Sequence, residues 1–277
     1  MNRLKELFTL EGKIIIITGA VGLLGKKHAE AVACSGGTPI LIDLSQKKLD
    51  ELVIELNEKY KVKSMGFSVD ITNEQSVRSN SKFLIEKFGK IDGLVNNAAN
   101  NPKIEDESDQ NFSRLENFTL QVWNQDIAVG LTGSFLCAKH YGVEMSKNPN
   151  GGSILNISSD LGLIAPDQRL YVRNGVSIDK QNVKPVSYSV VKTGIIGLTR
   201  YLATYWENKN IRCNAICLGG VENGQSQEFI KRISSRIPMG RMATNEEYQG
   251  ALIWILSSAS SYLNGAIIPI DGGRTTL

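Results

Sequence analysis

The sequence predicts an α/β fold, a doubly wound parallel seven-stranded sheet in a single domain over residues 1–277, and three observations carry that prediction. Short β-rich runs alternate with helical stretches from end to end. Most of the runs are continuously apolar rather than alternating, the pattern of strands buried on both faces. No linker, low-complexity tract or internal repeat breaks the alternation. Repetition of this kind implies right-handed crossovers, which place helices on both faces of the sheet.

The seven candidate strands are 13–18, 38–43, 63–69, 91–96, 152–158, 211–217 and 266–270. Among the helical patterns between them, 23–35 is closed by Gly36-Gly37, and 46–60 has Ser45 at its entry. The stretches 119–145 and 186–206 also read as helices, apolar over much of their surface. Such helices usually need a partner to cover them, so the chain is expected to form a homotetramer or homodimer.

Composition narrows the function classes. The chain is 42% hydrophobic and 21% charged, ordinary for a globular protein. A net charge of +3 is too small to point to nucleic acid or an anionic membrane. The run Ile14 to Ile17 falls far short of the roughly 20 residues of a spanning helix. The charged segment 1–11 lacks the apolar core of a signal peptide. Four cysteines (Cys34, Cys137, Cys213, Cys217) show neither disulfide-scaffold nor zinc spacing. A cytoplasmic protein without a metal is expected.

The first strand runs into Thr18-Gly19-Ala20-Val21-Gly22-Leu23-Leu24-Gly25 and then into a helix. Glycines there permit a tight turn and let backbone N–H groups approach a pyrophosphate at the helix N-terminus. A glycine triad alone is weak evidence, since ordinary strand–helix turns carry it too. Asp43 strengthens it by ending the second strand 18 residues after Gly25. A carboxylate there accepts hydrogen bonds from ribose hydroxyls and repels a 2′-phosphate, which favours NAD over NADP. Asp70-Ile71 follows the third strand and Asn97-Ala98 the fourth, both at the carboxyl edge where open α/β sheets bind ligands. Their plainer readings are helix capping and turn formation.

The strongest local signal is Tyr188-Ser189-Val190-Val191-Lys192. On a helix, residues four apart share a face. A phenol of ordinary pKa about 10 is a poor acid or base at neutral pH. A neighbouring ammonium stabilises the phenolate and brings it towards the working range for proton transfer. Upstream, Asn156-Ile157-Ser158-Ser159 ends a buried strand and offers a hydroxyl to the same substrate oxygen.

Together these motifs resemble the short-chain dehydrogenase/reductase family over nearly the whole chain, from Leu10-Glu11-Gly12-Lys13 to Asp271-Gly272-Gly273. Supporting stretches are Ile91-Asp92-Gly93-Leu94-Val95-Asn96-Asn97-Ala98, Ile211-Arg212-Cys213-Asn214-Ala215-Ile216 and Pro238-Met239-Gly240-Arg241. The resemblance implies a Rossmann fold, usually tetrameric, and a nicotinamide cofactor. It makes Tyr188 the proton donor or acceptor, Lys192 the group that binds the nicotinamide ribose, and Ser159 the orienting serine. It places Thr18, Gly19, Gly22, Leu24, Gly25, Asp43, Asp70, Ile71, Asn97, Ala98, Tyr188, Lys192, Gly219 and Val221 around the cofactor.

Four departures stand out. The spacing TGxxGxxG resembles the longer, nucleotide-sugar-modifying branch, although the second half follows the compact one. Gly130 stands where the family usually has an asparagine that holds a relay water. Either the missing side chain leaves room for a water or carbonyl, or it permits close packing. Leu218 replaces a usual proline before Gly219. Ser159 and Tyr188 lie 29 residues apart, where about a dozen is usual, leaving an insertion at 166–185 that carries Arg169, Tyr171, Arg173, Lys180 and Lys184. That insertion borders the substrate pocket, or forms a surface loop or oligomer contact. Arg232, Lys231 and Arg236 belong to a substrate lid or to an exposed charged helix face.

The reading is an NAD-dependent oxidoreductase acting on a polar small molecule such as a sugar or sugar phosphate. The segments 159–162 and 184–192, with Gly130, also resemble family members associated with bacterial surface-carbohydrate or flagellin modification. The alternatives are a 3-oxoacyl-carrier-protein reductase and a non-catalytic NAD-binding module. No motif touches His28 or His140.

Overall fold

The computed structural model describes residues 3–100 and 112–277. After a short helix α1 (Arg3–Phe8), strands and helices alternate. They are β1 (Ile14–Thr18), α2 (Leu23–Cys34), β2 (Thr38–Asp43), α3 (Gln46–Tyr60), β3 (Met65–Ser68), α4 (Glu74–Phe88) and β4 (Gly93–Asn96). Then come α5 (Leu120–Ile127), α6 (Gly133–Met145), β5 (Gly152–Ser159), α7 (Val186–Tyr205), β6 (Ile211–Leu218), α8 (Gln227–Ser234), α9 (Gln249–Leu256) and β7 (Ile267–Ile270).

The strands form one parallel sheet in the order β3-β2-β1-β4-β5-β6-β7. All seven lie where the apolar runs placed them, with ends shifted by up to two residues. β1 is buried at every position, as is β4, which is why their sequences do not alternate. One core cluster packs α2, α3 and α9 against one face through Ala29, Val32, Leu49, Leu252 and Ile255. A second packs α4, α6 and α7 on the other through Val77, Leu84, Tyr141, Met145 and Leu202.

The chain steps outward from β1 in two directions, so the sheet order reverses between β1 and β4. At such a switch point the flanking loops part and leave a crevice at the carboxyl ends of the strands. Two sequence details resolve differently from expectation. Ser45 sits at the N-cap of α3 but makes no side-chain capping bond. The stretch 119–145 is not one regular helix: α5 and α6 are joined by a π-helical turn, Ala128–Thr132, centred on Gly130.

Candidate active site

The glycine turn is shaped by steric necessity. Gly19 has φ +64°, and a Cβ on it would stand 2.9 Å from Ala98 Cα. A Cβ on Gly25 would meet the Gly19 carbonyl oxygen at 2.0 Å, so only glycine lets α2 start this close to the turn. Thr18 and Asn97 fasten the turn to β4. The Thr18 hydroxyl accepts from the backbone N–H groups of Asn97 and Ala98, each at 3.1 Å. The Asn97 amide donates to the carbonyls of Thr18 (2.9 Å) and Gly19 (3.1 Å). Asn97 thus holds the turn, a role sequence spacing does not reveal.

The residues present fit a nicotinamide dinucleotide. Gly22 is the N-cap of α2 and supplies no side-chain cap. The first-turn N–H groups of a helix have no intrahelical partners, which leaves them for an anionic group. Half-buried Asp43 lies beside this turn, its carboxylate accepting from the N–H of Val21 at 3.1 Å and of Leu44 at 2.8 Å. Leu24 is partly buried against the core. At the end of β3, exposed Asp70 accepts from the Thr72 N–H (2.9 Å) and hydroxyl (2.7 Å), an Asx-type turn. Ile71 is buried and packs on Gly133. Beyond β6, Gly219 approaches Asp271 so closely that a Cβ would meet its Cα at 2.8 Å. Val221 bridges to Ala243, and Leu218, in place of proline, is a buried core residue.

Ser159, Tyr188 and Lys192 meet at the carboxyl edge of the sheet. β5 carries Ser159 at its last position, and α7 carries the other two one turn apart. The Ser158 hydroxyl donates to the Lys192 carbonyl at 2.7 Å and pins α7 to β5. Gly162 is required nearby, because a Cβ there would lie 2.8 Å from Ser158 Oγ and 2.9 Å from the Lys192 carbonyl. Tyr188 lies close enough to Ser159 for that hydroxyl to lower its pKa, and Lys192 Nζ donates to the Ile157 carbonyl at 2.9 Å.

The electrostatics correct one expectation. Burial pushes the Tyr188 phenol above its ordinary range, with the nearby Ser159 hydroxyl opposing the rise and the Asp160 charge adding to it. Burial, assisted by the Lys184 charge, brings Lys192 down to about 8. In the protein alone desolvation therefore outweighs the tuning of Tyr188 by Lys192. The Lys192 ammonium lies 5.7 Å from the Tyr188 ring centroid, already bonded to a backbone carbonyl.

Sequence reasoning missed several neighbours. A cavity beside Tyr188 and Lys192 is also lined by Asn100, Asp126, Gly130 and Ser187. Asp126 accepts from Asn100 at 3.2 Å and from the Ser187 hydroxyl. Its position one turn before Gly130 was the only signal in the sequence. Asp160 accepts from the Ser159 hydroxyl at 2.8 Å and pairs with Arg274 at 2.8 Å.

The insertion at 166–185 is anchored by packing at Leu170 and at 181–185, while most of 172–180 is exposed. Leu170 joins Ile233, Ile237 and Met242 in a small core, and the Tyr171 and Phe229 rings lie 5.6 Å apart. Arg232 donates to the carbonyls of Leu170 (3.2 Å) and Val172, and Arg236 pairs with Asp167. These arginines tie α8 and the segment just after it to the insertion. Near the end of the insertion, Lys184 Nζ sits 3.8 Å from the centroid of the Tyr188 ring.

A family model described as Enoyl-(Acyl carrier protein) reductase matches residues 19–275. An uncharacterized oxidoreductase of Thermotoga maritima is 34% identical over 96% of this chain and 99% of its own length. An NADP-dependent mannitol dehydrogenase of Hypocrea jecorina is 31% identical over 99% of this chain and 97% of its own. Post-translational flagellin modification protein A of Campylobacter coli is 28% identical over 95% of this chain and 98% of its own. With the parallel Rossmann-type sheet and the cofactor crevice at its switch point, these likenesses show that the chain belongs to the short-chain dehydrogenase/reductase family, as an NAD(P)-dependent oxidoreductase acting on a small molecule.

Proposed function

We propose that this enzyme uses NAD to interconvert a hydroxyl and a carbonyl on a polar, oxygen-rich metabolite, a sugar or sugar phosphate, in surface-carbohydrate biosynthesis. The observation that carries the reading is the convergence of Ser159, Tyr188 and Lys192 beside the switch-point crevice. The bound nicotinamide supplies the hydride acceptor or donor. Tyr188 takes the proton from the substrate hydroxyl or returns it to the carbonyl. Ser159 holds the reacting oxygen at the same place. Lys192 fixes the ribose and supports the phenolate once the cofactor is bound. Thr18, Gly19, Gly22, Leu24, Gly25, Asp43, Asp70, Ile71, Asn97, Ala98, Gly219 and Val221 enclose the cofactor.

The substrate class rests on Lys184 at the Tyr188 ring, which places a cation from the insertion at the reacting centre. The mannitol dehydrogenase and flagellin-modification relatives point the same way. A turnover assay with NAD on a panel of polyols, sugars, sugar phosphates and a 3-oxoacyl thioester tests it. Turnover of the thioester alone would favour the acyl reductase reading, and turnover of none would favour a non-catalytic NAD-binding module.

Asp43 is expected to make NAD(H) bind at least tenfold more tightly than NADP(H). Repulsion of about 1.4 kcal/mol suffices for that factor, and no arginine follows in Leu44-Ser45. Calorimetry giving equal or tighter NADP binding would sink this preference.

The chain is also proposed to be a homotetramer or homodimer in the cytoplasm. Phe135 (47%) and Val143 (42%) on α6, with Tyr201 (61%) and Tyr205 (58%) on α7, are large apolar side chains left exposed. All four cysteines are free thiols, consistent with a reducing compartment. Among the described residues no helix is long and apolar enough to cross a membrane. Light scattering at micromolar concentration is expected to show a dimer or tetramer, and a stable monomer would contradict it.

A further inference from the structure

The turn that follows β6 is held by a segment from further along the chain, residues 243–249, which runs into α9. Ala243 bridges to Val221. Its N–H donates to the Gly220 carbonyl at 3.0 Å, and its carbonyl accepts from the Glu222 N–H at 2.9 Å. Tyr248 is 1% exposed, and its hydroxyl donates to the Gly219 carbonyl at 2.9 Å. Burial pushes that phenol well above its ordinary range, so the donor proton stays in place. The same segment is tied to α2. The Gln249 amide donates to the Lys27 carbonyl at 3.0 Å, and Glu246 pairs with the Lys27 ammonium at 3.1 Å. One short stretch therefore touches both the turn after β6 and the helix that begins at the glycine turn.

The hydrogen bond from Tyr248 controls more than one atom. A peptide unit is planar and trans, so fixing the Gly219 carbonyl also fixes the opposite direction of the Gly220 N–H. Among the described residues Tyr248 is the donor to the Gly219 carbonyl, and nothing accepts from the Gly220 N–H. That N–H is left for a ligand or for solvent. The local backbone restrains itself poorly. Leu218 has no ring to fix φ, and two adjacent glycines follow it. Such a turn keeps one shape only when something outside it holds it.

We propose that Tyr248 is a positioning residue for the dinucleotide: its hydroxyl fixes the Gly219-Gly220 peptide, and the segment it belongs to braces that turn against α2. The inference rests on the reading that Gly219 and Val221 enclose the cofactor. A turn already held in its bound shape has less freedom to lose when the cofactor arrives, which raises affinity without any new contact.

The test is calorimetric, with NAD(H) titrated into Tyr248→Phe, Tyr141→Phe and Gly220→Ala. Tyr141 is the control for lost stability. It is fully buried on the opposite face of the sheet, and its hydroxyl donates to Asn80 at 2.9 Å. Each Tyr→Phe change removes one buried hydrogen bond, so both should lower the melting temperature by a similar few degrees. Tyr248→Phe is expected to raise the NAD(H) dissociation constant by about five- to tenfold, with Tyr141→Phe within about twofold of wild type. Gly220→Ala alters the turn itself, since its Cβ would stand 3.1 Å from Met242 Cε, and should weaken NAD(H) as well. Should Tyr248→Phe fail to fold, Gln249→Ala carries the test, with an expected rise of about threefold. A dissociation constant that stays at the wild-type value, or that rises equally in Tyr141→Phe, overturns the proposal. If Gly220→Ala still weakens binding in that case, only the role of Tyr248 has failed. If Gly220→Ala has no effect either, the turn is no wall of the cofactor site, and the reading of Gly219 and Val221 falls too.

Discussion

Tyr188→Phe is expected to lower kcat by about 10²–10⁴-fold, the usual contribution of a general acid or base, while NAD affinity stays within about twofold. The asymmetry follows from position. Tyr188 stands beside Ser159 at the carboxyl edge of β5, whereas the glycine turn and Asp43 lie at the ends of β1 and β2. Deleting one oxygen leaves the ring packed under Lys184, so the fold should not move. Lys192→Ala is expected to reduce rate and cofactor affinity together, because its ammonium serves both. Rate by single turnover and affinity by calorimetry distinguish the two variants. Retention of more than a few per cent of the wild-type rate in Tyr188→Phe would assign the proton transfer elsewhere.

What the sequence could show is set by how local the cause is. The strands were readable because burial on both faces leaves continuous apolar runs, as in β1, where all five residues are buried. The glycine turn and the Tyr188/Lys192 pair were readable because their chemistry depends on spacing within one segment. Asp160 and Arg274 lie 114 residues apart, and no periodicity links an aspartate after β5 to an arginine beyond β7. The insertion resisted reading for the same reason: its small core is completed by Ile233 from α8 and by Ile237 just beyond it. The pKa balance at Tyr188 was misjudged because a sequence shows which charges are near but not how deeply they are buried.

Gly130 decides between two physical explanations, and the structure favours packing. A Cβ built on Gly130 would stand 2.4 Å from Val191 Cγ1, so the space that an asparagine would fill is occupied by the neighbouring helix. Val191 is 5% exposed, and a β-branched side chain in a helix has essentially one comfortable χ1 rotamer, which makes turning aside costly. The Gly130 carbonyl also accepts from the Ser134 hydroxyl at 2.9 Å. Gly130→Ala should therefore overpack, at about 1–3 kcal/mol, offset in part by the roughly 1 kcal/mol gained by alanine over glycine in a helix. At about 2–4 °C per kcal/mol for a chain of this size, the melting temperature should drop by a few degrees. Because Val191 precedes Lys192, displacing it should also disturb the Tyr188 and Lys192 pair and lower the rate. The double variant Gly130→Ala/Val191→Ala makes room for the new methyl, and should recover stability and rate relative to the sum of the singles, a coupling of about 0.5–3 kcal/mol. A Gly130→Ala protein with an unchanged melting temperature, lowered rate and no rescue by Val191→Ala would instead mean that the methyl displaces an ordered water in a proton path.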